Sequence, residues 1–341
     1  MRFAKVASIS LAVLGLSLTC LGEEWSVTSQ MSFSLENIQG TPQSLSPDGT
    51  VILSAGNEAG ICLYRAADLS PLGCYKPSEG TESPLWLRLR SITWSPDSEY
   101  VLFSVAVGEL WRIQVSTGKL EWLPASAPAE YVAYSPDGSR LTVGGGGYIV
   151  VAPPGALAEV AREAPVARYE GILRGLVWRG GTLYYGVLAP DRKTFQLWAV
   201  SPRGDASPEL LWSYPYPELL LVDVSPDGRY AWVGAALVDL VAGEIVRMLE
   251  KGSVQSFAFS QDGASWLYVY STVKDLKQVW VLTIRQAENP EGEEEVLLEL
   301  EKPIRILGWA STGRVALFLP HSREPGLMVV DLVAAGCGCE H

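Results

Sequence analysis

The chain has 341 residues, among them 33 Gly and 22 Pro, and 48% of it is hydrophobic, which excludes a disordered chain and predicts a large core interrupted by many turns. Its formal net charge of −12 and pI of about 4.8 argue against a nucleic-acid binder, which carries a basic face. Only two His, His321 and His341, are present, so little material exists for His-based catalysis or zinc chemistry, and no cofactor is expected.

Residues 1–22 read as a secretory signal peptide. Arg2 and Lys5 form a positive start, Val6 to Gly22 run without a charge, and Glu23-Glu24 follow. Three fates are open: cleavage after Gly22, an uncleaved anchor, or lipidation at Cys20, since Leu16-Ser17-Leu18-Thr19-Cys20 resembles a bacterial lipobox. Each delivers residues 23–333 outside the cytoplasm, to a periplasm, an envelope surface or the medium. Loss of Arg2 and Lys5 takes the charge from −12 to −14, so contact with a membrane is expected only through the N-terminal lipid or anchor.

The next segment, Trp25 to Leu35, alternates Val27, Ser29, Met31, Phe33 and Leu35 on one face and has no partner strand nearby in sequence. Repeats begin after it. Ser46-Pro47-Asp48-Gly49 recurs as Ser95-Pro96-Asp97-Ser98, Ser135-Pro136-Asp137-Gly138 and Ser225-Pro226-Asp227-Gly228, with Ser260-Gln261-Asp262-Gly263 a one-change copy. Trp178-Arg179-Gly180-Gly181 and Trp309-Ala310-Ser311-Thr312-Gly313 are degenerate copies. The spacing averages roughly 44 residues, the period of a four-stranded propeller blade. Pro fixes φ in a tight turn, Asp bonds its own backbone, and Gly accepts positive φ. Apolar strands flank each turn, as in Ser91–Trp94 before and Tyr100–Ser104 after. Third strands are predicted at Gly108–Val115, Gln196–Val200, Gln278–Leu282 and Leu327–Leu332, and fourth strands at Lys119–Leu123 and Glu244–Leu249. The fold class is therefore all-β, a seven-bladed β-propeller. The seventh unit has three strands and stops at Val333, so Trp25 to Leu35 is expected to supply its outer strand and close the ring.

The units resemble the TolB-type, WD40-like propeller repeat. Leu110-Trp111-Arg112-Ile113-Gln114-Val115-Ser116-Thr117-Gly118-Lys119 and Leu327-Met328-Val329-Val330-Asp331-Leu332 carry the likeness in the later half of the repeat, and it extends over about residues 40–333. The resemblance implies protein–protein contacts in a cell envelope. It does not select one role, because a propeller serves many.

Candidate functional residues lie mainly in loops. Cys62 and Cys74 are equidistant from Asp68, and either a cross-strand disulfide or two half-buried thiols fits. The Asp of each Ser-Pro-Asp-Gly turn reads as a turn former rather than part of a carboxylate ring. On the opposite face, Lys76 to Arg90 carries Trp86 and Arg88, Pro190 to Thr194 carries Arg192 and Lys193, Ser213 to Glu218 carries Tyr214 and Tyr216, and Pro320 to Pro325 carries His321 and Arg323. Tyr, Trp and Arg are enriched at protein interfaces, which makes this face the expected partner surface. Gly144-Gly145-Gly146-Gly147 lacks the Lys and helix start of a phosphate loop and reads as a tight loop. Glu291 to Glu295 reads as a solvated loop. The tail, residues 334–341, groups Cys337, Cys339 and His341, too few ligands for a closed metal site. The functional expectation is an interaction or scaffold module with a protein partner in the envelope and no catalysis. The alternative is an enzyme or small-ligand binder using the central channel, with Asp223 and Glu109 as inward-pointing candidates.

Overall fold

A computed structural model describes residues 25–34, 38–39, 41–56, 60–76, 89–105, 108–125, 128–157, 165–215, 220–234, 236–248, 256–287, 295–320 and 325–334. They form seven four-stranded antiparallel sheets. Blades 1 to 6 span 41–75, 89–123, 131–168, 172–214, 221–248 and 256–300, each taking its strands a to d in chain order. Blade 7 takes three strands from 305–334 and the fourth from Trp25–Ser34. The a strands of blades 2 to 7 contact one another in turn around the centre, and that of blade 7 contacts that of blade 1. The molecule is a seven-bladed β-propeller.

The turn between strands a and b is the local unit that builds every blade. In blade 1 the Ser46 hydroxyl donates to Asp48 Oδ1 at 2.6 Å and accepts from the Val51 amide at 2.9 Å, while the Gly49 amide donates to the Ser46 carbonyl. The same pair of side-chain bonds recurs at Ser95, Ser135, Ser225 and Ser260. The fourth turn position takes positive φ, and blade 2 places Ser98 there at φ 61° where the other four turns have Gly. An L side chain in that region costs on the order of 1 kcal/mol. Ser98 offsets part of this by accepting a hydrogen bond from the Asp48 amide of blade 1.

These turns also set an acid limit. The serine hydroxyl, followed by the backbone amide two residues on, holds the carboxyls of Asp97 and Asp137 below the usual carboxylate range, Asp137 at about 2. The Ser260 hydroxyl does the same for Asp262. At Asp48 burial pulls upward, and bonds from Ser46, Thr50 and Ser98 outweigh it. A carboxyl whose folded value is depressed contributes stability above its unfolded value near 4 and loses it as pH falls through the folded value. The urea midpoint is therefore expected to stay level from about pH 7 to 5 and to fall steeply between about pH 4 and 2. Urea titrations over that range check it, and a midpoint still level at pH 2 would contradict it.

Packing is between blades. Seven hydrophobic clusters each join two neighbours. Blade 1 meets blade 2 through Leu53, Leu63, Val101 and Phe103, and blade 7 meets blade 1 through Leu307, Phe318, Leu45 and Ile52. Polar bonds fasten the same seams, such as Trp94 Nε1 to Ser44 Oγ at 2.9 Å and the Ser311 amide to the Pro47 carbonyl at 2.9 Å. Closure follows the expected route. Trp25–Ser34 runs antiparallel to Gly326–Ala334, with Trp25 opposite Ala334 and Ser34 opposite Gly326. Trp25, Val27, Ser29, Met31 and Phe33 alternate with exposed residues, and the ring of Trp25 meets Trp309 edge-on at 5.5 Å. Leu35 lies outside the described residues.

Three expectations are corrected. Gly144 and Gly145 belong to strand Leu141–Gly145, and only Gly146-Gly147 make the turn. The strand tolerates glycine because a Cβ at Gly145 would stand 2.0 Å from the Pro128 carbonyl oxygen. Strands b and c of blade 6 run the whole of Ser265–Lys274 and Lys277–Gln286, so the third strand is twice the length predicted at Gln278–Leu282. Glu295 is the first residue of strand Glu295–Leu300 rather than part of a loop, and residues 291–294 lie outside the described residues.

Candidate interaction surfaces

The strand order gives the ring two unlike ends. The a–b and c–d connections lie at one end, here the turn face, and the b–c and d–a connections lie at the other, the hairpin face. Trp25 opens an outer strand and so sits at the turn face, where its amide donates to Glu295 Oε2 at 3.3 Å.

On the hairpin face, Arg192 and Lys193 are exposed at the b–c turn of blade 4. Ala189-Pro190-Asp191-Arg192 repeats the chemistry of the Ser-Pro-Asp-Gly turn. The Arg192 amide donates to the Ala189 carbonyl, and Asp191 Oδ1 accepts from the amides of Lys193 and Thr194. Arg192 itself stands at φ 54°. Tyr214 ends the outer strand of the same blade opposite Phe195, so the fold brings it to the end that carries Arg192 and Lys193. It is half-buried and stacks on Trp212 at 5.4 Å, packed on the cluster shared by blades 4 and 5 rather than displayed. Trp86, Arg88, Tyr216, His321, Arg323, Cys337, Cys339 and His341 lie outside the described residues.

Cys62 and Cys74 face one another on strands c and d of blade 1 and are joined by a disulfide, with Cα atoms 4.1 Å apart. Asp223, a channel candidate, accepts a 2.6 Å hydrogen bond from Arg179, whose Nε also donates to the Val224 carbonyl. Burial pushes the Asp223 carboxyl upward against the pull of that guanidinium. Glu109 accepts from the Trp111 indole at 3.2 Å.

The long hairpin of blade 6 is the feature sequence reasoning missed. Its strands meet at Asp275-Leu276, at φ 53° and 64°, two consecutive left-handed residues where Asn-Gly or Asp-Gly is usual. Leu276 is 98% exposed and Val273 is 71% exposed. Lys274 pairs with Glu299 at 2.9 Å and Lys277 with Glu301 at 2.6 Å, bracing the hairpin against its own outer strand. The run Tyr268-Val269-Tyr270-Ser271-Thr272-Val273, β-prone without a break, was the available signal.

No family model matches the chain, and no curated protein matches it. Among solved structures it is similar to the β-propeller domain of Cps50 (Swd1) from Myceliophteria thermophila, at 11% identity with a TM-score of 0.58, over 90% of this chain and 99% of that one. At that identity the likeness establishes the fold.

Proposed function

We propose that the chain is an extracytoplasmic interaction propeller that docks a protein partner of the cell envelope through its hairpin face, and that it carries no catalysis of its own. The observation that carries this reading is the blade 6 hairpin tip. Leu276 holds a strained left-handed conformation that glycine would adopt without cost, and its side chain gains no burial in return. Both costs are unrewarded within the folded chain. They are recovered if Leu276 and Val273 enter an apolar pocket on a partner, as buried anchors do at interfaces. Exposed Arg192 and Lys193 on the same face fit a polar rim.

The Cys62–Cys74 disulfide supports an oxidising compartment, and the TolB-type repeat resemblance supports an envelope partner. A retained leader, or a lipid on Cys20 five residues before Trp25, would tether the turn face and aim the hairpin face away from the membrane.

The test compares the wild-type chain with Leu276→Gly in capture from native envelope extracts, followed by affinity measurement on the captured protein. Leu276→Gly relieves backbone strain, so its melting temperature is expected to hold or rise slightly. Its affinity for the partner is expected to fall at least about tenfold, the usual scale for a central apolar anchor. Equal capture and affinity for both chains would refute the assignment.

A further inference from the structure

The turn face carries a cleft of about 570 Å³ between blades 3 and 4. Arg140, Arg203, Asp137, Asp205 and the buried Trp178 line it. Both arginines are unpaired because two turns depart locally from their relatives elsewhere in the ring.

The first departure is at Arg140, which precedes strand b of blade 3. Its counterpart in blade 7 is Arg314, whose carbonyl accepts from the Ala310 amide as that of Arg140 accepts from the Ser135 amide, and Arg314 pairs with Asp331 at 2.8 Å. Asp331 stands on strand c directly opposite Arg314. In blade 3 Leu141 is opposite Ala152, so the residue that follows, Pro153, takes that place. Arg140 therefore lacks the carboxylate that Arg314 has across from it.

The second departure is at Arg203. Ser201-Pro202-Arg203-Gly204 makes the repeat's turn once more, with Gly204 at φ 68° and its amide donating to the Ser201 carbonyl at 3.1 Å. Asp occupies the third place in the other Ser-Pro turns and folds back onto the serine hydroxyl. Arg203 has no acceptor to do so, and the serine hydroxyl accepts from the Arg203 amide instead. Among the described residues neither guanidinium has an ion-pair partner, and both are exposed.

We propose that Arg140 and Arg203 hold the carboxylate of a ligand in this cleft, with the body of the ligand against Trp178. Guanidinium groups recognise carboxylates in paired, planar geometry. A singly charged carboxylate is favoured over a phosphate dianion because Asp137 and Asp205 balance the two arginines. Asp137 stays ionised, its Oδ1 accepting from Ser135 Oγ and from the amide and hydroxyl of Ser139. The site lies on the face opposite the blade 6 hairpin, so it stands or falls separately from the docking reading.

The experiment titrates the full chain with benzoate, a monocarboxylate with a flat apolar body, and separately with inorganic phosphate, at constant ionic strength. The readout is the indole 15N–1H resonance of Trp178, assigned with Trp178→Phe. Benzoate is expected to shift that resonance, and Arg140→Gln and Arg203→Gln are each expected to weaken its binding about tenfold or more. Arg305→Gln, an exposed arginine of blade 7, is expected to bind as the wild type does. The proposal is overturned by any of four results: no shift with benzoate, a stronger response to phosphate, full binding by both cleft variants, or an equal loss in Arg305→Gln.

Discussion

Deleting residues 25–34 is expected to lower the melting temperature by about 10 °C and to make the protein aggregate. Trp25, Val27, Met31 and Phe33 are half-buried against the clusters that join blade 7 to blades 6 and 1. Half-burial of a large apolar side chain contributes about 1 kcal/mol or somewhat more, so the four together contribute roughly 5 kcal/mol. In a protein of this size that corresponds to about 10 °C. The deletion also removes the nine-pair ladder to Gly326–Ala334 and the bond from Ser29 Oγ to Asp331 Oδ2 at 2.6 Å. Asp331 remains held by Arg314, so the inner part of blade 7 keeps its own fastening. The exposed outer edge of Gly326–Ala334 becomes a template for another chain. Calorimetry with light scattering measures both effects. A synthetic peptide of residues 25–34 added in trans is expected to recover part of the loss. A deletion variant that melts where the intact chain does, as a monomer, would show that the outer strand does not close the ring energetically.

Trp232→Ala is expected to cost about 3–5 kcal/mol, the range for truncating a large aromatic in a core, and to lower the melting temperature by about 8 °C. Trp232 lies on strand b of blade 5 and is 1% exposed. Its ring stacks on Phe257 of blade 6 at 4.1 Å and lies 6.2 Å from Tyr268 of the same blade. Phe257 meets Phe259 edge-on, and Phe259 meets Trp266, so the truncation empties the middle of an aromatic chain that crosses one seam. The surrounding strands are held in register by their ladders and have little freedom to collapse into the void. Trp122→Ala is the contrast. That residue is 54% exposed on the outer strand of blade 2, and its loss is expected to cost under about 0.5 kcal/mol. Denaturant titrations of the two variants check the pair. Equal costs would mean that the seam between blades 5 and 6 does not carry the stability assigned to it.

The fold was legible because its defining chemistry is local. A serine, a proline, an aspartate and a glycine in four consecutive positions make a turn whatever lies around them, and counting such turns counts blades. Ring closure was legible because three strands in the last unit and one unpartnered strand at the front leave a single economical pairing. Cys62 and Cys74 were placed opposite one another by their equal distance from Asp68 alone. The blade 6 hairpin was obscured because Asp275-Leu276 turns the chain without glycine, so no local residue marks where the strands end. The turn-face cleft was harder still. Arg140 and Arg203 are separated by a whole blade in sequence, and each is unusual only beside its counterpart in another blade. Tyr214 shows the converse difficulty. Its residue type and its place beside a proline suggested display, and only the register with Phe195 and the stack on Trp212 reveal that it is spent on packing.

The pairing of Trp25–Ser34 with Gly326–Ala334 has a consequence in time. Of the propeller's described strands, the first to be synthesised is the last to find its neighbour, since its partner lies about 300 residues downstream, as the Ser29–Asp331 bond spans 302 positions. At about 5–20 residues per second that interval is roughly 15–60 s. Through it, the alternating Val27, Met31 and Phe33 side chains have no blade to rest on. Blades 1 to 6 hold all their strands locally and are free to form in order during synthesis. Completion of the ring is a single late event that waits for the final strand, and until then the nascent protein is an open arc with two unsealed ends.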